Sequence, residues 1–440
     1  LKEGKDDQII IEIPKGGYTP IITLKHNFQA DIKQVGETEF VFSSEPKLAI
    51  LPFVDLTADG SMEYFTRGIS EELSVILTKY EDISVFNFNA FSKENIKKDT
   101  LKKQAYKRGV RFILEGALNK AGDQVKIFAR LTDLSVDKQI WAESYTRKLD
   151  LENIFEIQES VSREIANILC SEYGIILHQL TVDFYNQEYR NFDTYSALLK
   201  FYYFEVHQTH EAYNDLYNSL IRITEDDPDS GIAVALLSTL YGNRYMLDFP
   251  DSDKSYEMLG ELSEKAAKLS PNSLIVQIVR VFKYFVYDEK ERFLALAQTC
   301  LARYENSSLR TGSLAFYLSL YGKWEQGKDL LDKIMQKNIT YPLFFHGAST
   351  LYYYRKNDYK KALAEAFKYQ IPGIFWAPML RTAVLGQLKQ QADAEKEIQH
   401  LKELKPDFEI KAKYLIGLYV KEESLVNHIL EGLRLAGLKL

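Results

Sequence analysis

Between Tyr321 and Ala394 one phrase comes round three times. It reads Tyr321-Gly-Lys-Trp-Glu-Gln-Gly327, then Tyr354-Arg-Lys-Asn-Asp-Tyr359 with Ala362, then Leu385-Gly-Gln-Leu388 with Ala392 and Ala394. Each copy has a large residue ending one helix, a polar turn, and small residues opening the next, where two helices must approach closely. The period is roughly 34 residues, which constrains the region to stacked helix pairs. Asp227-Pro228, Ser270-Pro271 and Lys405-Pro406 mark the ends of second helices, since proline opens a helix more easily than it continues one. Over 181–440 the pattern predicts about six helical pairs, the first two irregular, and a terminal helix or two.

The period and the turn phrases resemble tetratricopeptide repeats. That resemblance implies a curved solenoid whose concave face receives a protein or peptide segment. Candidate face residues are the aromatics of first helices: Tyr202, Tyr203, Phe204, Phe282, Tyr284, Phe285, Phe344, Phe345, Tyr352, Tyr353 and Phe375. Aromatics supply large contact areas and favour interfaces, and the same side chains also fill seams between helices. Tyr203, Phe285, Phe344, Tyr352 and Tyr353 form the expected partner-binding set. Glu431-Gly-Leu-Arg-Leu-Ala-Gly-Leu438 is similar to the ending of this repeat group and implies a native C-terminus.

Before residue 180 the periodicity is different. Leu48 to Leu51 is an apolar run ended by Pro52, which suits a strand buried on both faces. A loop with Asp55, Asp59 and Gly60 follows, and Gly68 leads into an amphipathic helix with Ile69, Leu73, Ile76 and Leu77 on one side. Ile83 to Phe88 reads as a strand. A basic helix with Ile96, Leu101 and Tyr106 then stops at Gly109. Val110, Phe112, Leu114 and Gly116 alternate, Lys120 to Asp123 turns, and Val125 to Leu131 returns. A further strand at Gln139–Tyr145 and a long helix from Ile154 complete the order βαβαβββα, a mixed sheet with packed helices over 47–180.

Leu48-Ala-Ile-Leu-Pro-Phe53, Gly109-Val-Arg-Phe-Ile-Leu-Glu-Gly116, Ile140-Trp-Ala-Glu-Ser-Tyr145 and Asp150-Leu-Glu-Asn-Ile-Phe155 resemble the TolB N-terminal-like domain. The resemblance implies a non-catalytic module of bacterial transcription regulators and nucleotide cyclases. Residues 1–25 read as a hairpin, with β-rich runs at Ile9–Ile13 and Tyr18–Thr23 around Pro14-Lys15-Gly16-Gly17. Ile11-Glu-Ile-Pro-Lys-Gly-Gly-Tyr-Thr-Pro20 resembles the wing that closes a winged-helix DNA-binding domain, where Lys15 at the tip is a candidate phosphate contact, with an exposed turn lysine as the plainer reading. The recognition helix of such a domain has no counterpart here, so DNA contact through this fragment alone is expected to be weak or nil. Residues 26–46 read as a linker with one short strand at Glu39–Phe42. A start at Leu1 rather than Met is what a piece of a longer protein would show.

The net charge of −7 gives no global case for nucleic acid, and Cys170 and Cys300 stand too far apart to suggest a disulfide framework. A reducing, cytoplasmic setting is expected, and no apolar run reaches membrane-spanning length. Lys93, Lys97, Lys98, Lys102, Lys103, Lys107, Arg108 and Arg111 make a basic cluster, read as a solvated helix face. His207-x-x-His210 has ligand-like spacing but no accompanying motif, and reads as a polar helix end. No phosphate loop, nucleophile elbow or zinc cysteine pair appears. The chain is therefore expected to be a non-enzymatic regulatory region without cofactor or metal. The alternative is the regulatory half of a nucleotide cyclase. The partner, the signal and the oligomeric state are left open.

Overall fold

A computed structural model of the chain describes residues 8–12, 21–25, 46–80, 83–88, 98–149, 153–171, 174–186, 194–249, 252–303, 308–338 and 340–440. It divides into two units, 1–41 and 42–440. In the first, β1 (Gln8–Glu12) pairs antiparallel with β2 (Ile21–Lys25), Gln8 opposite Lys25 and Glu12 opposite Ile21. Lys15, its turn and the Glu39–Phe42 strand lie outside the described residues.

The second unit opens with a mixed sheet. Its elements are β3 (Lys47–Ile50), β4 (Val54–Asp55), α1 (Glu63–Leu77), β5 (Ser84–Asn87), α2 (Lys98–Lys107), β6 (Phe112–Ala121), β7 (Gln124–Asp133), β8 (Lys138–Lys148) and α3 (Ile154–Cys170). The strand order is β5-β3-β6-β7-β8, with β4 pairing β6. β3 runs parallel to both neighbours, while β6, β7 and β8 are antiparallel. The alternation in β3 explains its burial on both sides. Leu48 and Ile50 join the core under α1 and α3, and Ala49 and Leu51 join Leu101 and Ala105 of α2. Gln158 of α3 donates to the Phe65 carbonyl of α1, and Gly68 leaves room for that amide to pass.

Helix α4 (Ile175–Asn186) runs across residue 180 and leads into six helical pairs. These are α5 (Thr194–His207) with α6 (His210–Asp226), α7 (Gly231–Met246) with α8 (Ser252–Leu269), and α9 (Leu274–Val286) with α10 (Lys290–Arg303). Then come α11 (Ser308–Leu320) with α12 (Trp324–Lys337), α13 (Phe345–Arg355) with α14 (Tyr359–Lys368), and α15 (Trp376–Gln387) with α16 (Gln391–Leu404). Two helices close the chain, α17 (Phe408–Tyr419) and α18 (Glu423–Ala436). First helices stack in order, α5 on α7, α7 on α9, α9 on α11, α11 on α13 and α13 on α15.

The polar turn of the sequence phrase has one backbone solution. Gln208, Asp248, Asp288, Gly322, Asn357 and Lys389 all sit in the left-handed region, one in the turn of each pair. In five of the six, the amide of the next residue donates back to the carbonyl five positions earlier, as in Phe249 to Arg244 and Gln390 to Leu385. That bond satisfies a carbonyl the helix end would otherwise orphan. A lysine at such a position carries a Cβ penalty. Lys389→Gly is expected to stabilise the protein by about 1 kcal/mol, read as a rise in the chemical-denaturation midpoint.

The stack does not end open. Past α16 the chain folds inward, and α17 reaches back to α7: Lys411 Nζ lies 2.8 Å from Asp248 and the Tyr414 hydroxyl 3.3 Å from that of Tyr245. The α17–α18 turn meets the middle of the stack, where Lys421 N donates to the Leu320 carbonyl at 3.0 Å and Trp324 Nε1 to Glu422 at 2.6 Å. α18 then lies on α15.

Candidate functional site: an aromatic recess inside the helical stack

α17 crosses one side of the stack, and a recess lies between it and the first helices. Its enclosed volume is about 60 Å³. Every first helix of the stack contributes to its wall: Phe204 and Glu205 from α5, Asn243 from α7, Phe282 from α9, Phe316, Tyr317 and Leu320 from α11, Gly347 and Leu351 from α13, and Trp376 and Leu380 from α15. Gln208, Leu247, Phe344 and Tyr369 enter from the connections, and Tyr419 from α17 closes it. The rings brace one another, Phe316 against Phe344 at 4.8 Å, Phe282 against Tyr317 at 5.3 Å and Trp376 against Tyr419 at 4.6 Å. Such tilted and offset contacts fix ring orientation beyond simple burial.

The polar groups in this wall are few and unusual. Glu205 is 7% exposed, and no hydrogen bond or ion pair reaches its carboxylate among the described residues. Burial pushes its pKa up to about 7. Buried carboxylates normally find partners, and one that does not is held neutral or awaits one. Burial likewise raises the Tyr317, Tyr369 and Tyr419 hydroxyls above their ordinary range, so they stay uncharged. The indole Nε1 of Trp376 is buried without a hydrogen-bond partner. By contrast Lys200, one turn before Glu205 on α5, is satisfied by Asp215 at 2.7 Å and Ser219 at 2.8 Å. No lysine, arginine, histidine or cysteine lines the recess among the described residues. A second recess of about 50 Å³ adjoins it and shares Glu205, Phe282 and Tyr317 as a common wall.

The expected partner-binding residues are dispersed. Phe344 lines the recess. Phe285 is fully buried behind the wall, packed on Phe293, Tyr317 and Tyr321. Tyr352 and Tyr353 lie on another side of α13, with Lys328 Nζ 5.8 and 5.3 Å from their ring centres and Lys356 Nζ 4.3 Å from Tyr352. Tyr203 stacks on His207 at 4.0 Å and borders α4. Of the wider aromatic set, Phe204 and Phe282 also line the recess. Sequence reasoning misses Glu205, Tyr317, Tyr369, Trp376 and Tyr419. The signal that could have found Glu205 is a lone carboxylate inside the apolar run Phe201-Tyr-Tyr-Phe-Glu-Val206.

His207 and His210 fall on different helices, His210 packing on Phe249 at 4.8 Å. No group of three or more potential metal ligands occurs among the described residues. No described helix is long and apolar enough to cross a membrane.

A second polar feature joins the sheet to the helices. Arg111, read in sequence as part of the basic cluster, is instead buried. Its guanidinium bonds Asp133 at the end of β7 at 2.7 Å and also Asp183 of α4. Burial works against its charge, and the two carboxylates outweigh that and hold it. Asp133 also accepts from the Ser135 amide at 2.9 Å and its hydroxyl at 2.6 Å. Nearby, Ser171 after α3 and Asn338 after α12 share a buried hydrogen bond of 2.8 Å.

No family model matches the chain. Over 126 residues it is 33% identical to a protein of Rhizobium meliloti (strain 1021) named "Putative adenylate cyclase 3", a match taking in 29% of this chain and 21% of that protein. The chain thus spans about a fifth of that relative's length. Among solved structures, 28% of the chain aligns with lipoprotein GNA1162 from Neisseria meningitidis, at 19% identity, a TM-score of 0.21 and 98% of that chain. An equal share aligns with TolB from Acinetobacter baumannii, at 16% identity, a TM-score of 0.20 and 27% of that chain. Likeness at this level carries no functional weight. What the chain shares with these proteins is confined to a part of its length, and the helical stack extends well beyond it.

Proposed function

We propose that this chain is a non-enzymatic regulatory region of a bacterial signalling or transcription-regulatory protein. In this reading 47–180 is a TolB N-terminal-like module, and 181–440 is a tetratricopeptide-type stack that binds a protein or peptide partner. The hairpin at 1–25 is the remnant of a DNA-binding wing. One observation carries the proposal: the inward face of the stack is a recess to which every first helix contributes wall residues, most of them aromatic or apolar. An aromatic-lined recess with few polar groups is the usual form of a binding site. The repeated turn, with a left-handed residue in each pair, supports the repeat reading. The Arg111–Asp133–Asp183 cluster supports a relay, because it ties the sheet to α4, the helix that leads into the stack.

The likeness to a protein named as a cyclase favours a second reading, the regulatory half of a nucleotide cyclase. The gene sequence upstream of Leu1 separates the two. A helix-turn-helix pattern there supports the first, and a cyclase catalytic core supports the second. The non-enzymatic claim has its own test. The purified chain, incubated with ATP or GTP and magnesium, is expected to form cyclic nucleotide at background only. Sustained turnover that scales with protein concentration would overturn it.

A further inference from the structure

The recess has a definite chemical preference. Its wall includes the rings of Phe204, Phe282, Phe316, Phe344 and Trp376, and the only side chain among its described residues able to carry a charge near neutral pH is a carboxylate. Ring faces attract cations, and most strongly where water is excluded. Glu205 is more than nine-tenths buried, and no donor reaches it among the described residues. The hydroxyl oxygens of Tyr317, Tyr369 and Tyr419 can accept. An anionic guest would meet repulsion from Glu205 and no positive group, while a neutral apolar guest would leave the carboxylate unsatisfied.

We propose that the recess binds a small organic amine in its ammonium form. The charge sits on the Glu205 carboxylate, and the apolar body lies against the rings of Phe282, Phe316 and Phe344. A primary ammonium suits this wall, because it brings three N–H donors to a wall that offers a carboxylate and tyrosine hydroxyls as acceptors. This rests on reading the stack as the receiving element of a regulatory region.

Linkage gives the sign of the pH dependence. Burial holds the empty site's Glu205 near pKa 7, and an ammonium partner lowers it, so affinity rises between about pH 6 and pH 8. The other groups facing Glu205 do not titrate there. Tyr317, Tyr369 and Tyr419 are pushed upward by burial, and Gln208 and Asn243 carry no charge. Lys421 lies behind the wall over the far ring of Phe285, at 4.9 Å.

The test is isothermal titration calorimetry of the 440-residue chain with 2-phenylethylamine and its neutral isostere 2-phenylethanol. At about pH 8 the amine is expected to bind at least about tenfold tighter than the alcohol. The preference should shrink several-fold at about pH 6. Glu205→Gln should abolish it while leaving the thermal midpoint and any alcohol binding in place. If that variant fails to fold, the pH dependence of the unaltered protein still decides. Equal affinity for both probes, binding of the alcohol alone, binding of neither, or a preference that persists in Glu205→Gln would each overturn the proposal. Calorimetry tests amine binding and not the wider reading, so its failure would leave the upstream-sequence and turnover tests untouched.

Discussion

Arg111→Ala is expected to destabilise the protein by about 3–5 kcal/mol, the usual consequence of removing one partner from a buried ion pair. The side chain is buried and meets two carboxylates. Asp133 is fully buried, so its charge would be left with only the Ser135 donors. Guanidinium denaturation followed by circular dichroism measures the loss. Arg111→Met with Asp133→Leu and Asp183→Leu removes all three charges together and should recover much of it, since apolar replacement of a whole buried cluster is often neutral. A loss below about 1 kcal/mol for Arg111→Ala would mean the cluster is not a structural link.

The second large effect is at the α15–α18 crossing. A Cβ added at Gly386 would overlap the Gly432 carbonyl oxygen and stand 2.8 Å from the Ala436 amide. Both are backbone atoms of α18 and cannot rotate away, so the helices must separate. Gly386→Ala is expected to cost about 3 kcal/mol, exceeding the roughly 1 kcal/mol of helix propensity gained. Gly417 in α17 is the internal control, because a Cβ there would meet nothing within 4 Å. Gly417→Ala should be neutral or stabilising by up to about 1 kcal/mol. Opposite signs in urea denaturation would show that packing, and not propensity, sets the first result.

Much of the architecture was legible because periodicity reports it. The alternation at Val110, Phe112 and Leu114, and the apolar run Leu48–Leu51, placed β6 and β3, and the repeated turn phrase placed the late helix pairs. The closure of the stack was not legible. It depends on contacts such as Lys411 with Asp248, which are 163 residues apart and look like ordinary solvated charges in sequence. Arg111 was misplaced for a related reason. It follows a basic run along the chain, but the start of β6 turns it inward toward Asp133, while Lys103 and Lys107 stay on the outer helix. The aromatics failed to resolve into wall and seam because α7, α13 and α15 are buried around most of their circumference. Once a helix is buried on several sides, its 3.6-residue period no longer says which side faces the interior. Phe344 faces the recess and Phe285 lies behind it, although both read alike in sequence.

If the proposed relay operates, sheet and stack open as one coupled body, and what the recess binds is felt at β6 and β7. Native-state hydrogen exchange under increasing denaturant tests it most directly, because coupled segments open together. The account predicts that amides of Ile113 and Leu114 in β6, and of Leu314 in α11 and Met379 in α15, converge on one opening free energy. It also predicts that Arg111→Ala splits them. Separate opening of the sheet and the stack in the unaltered protein would contradict it.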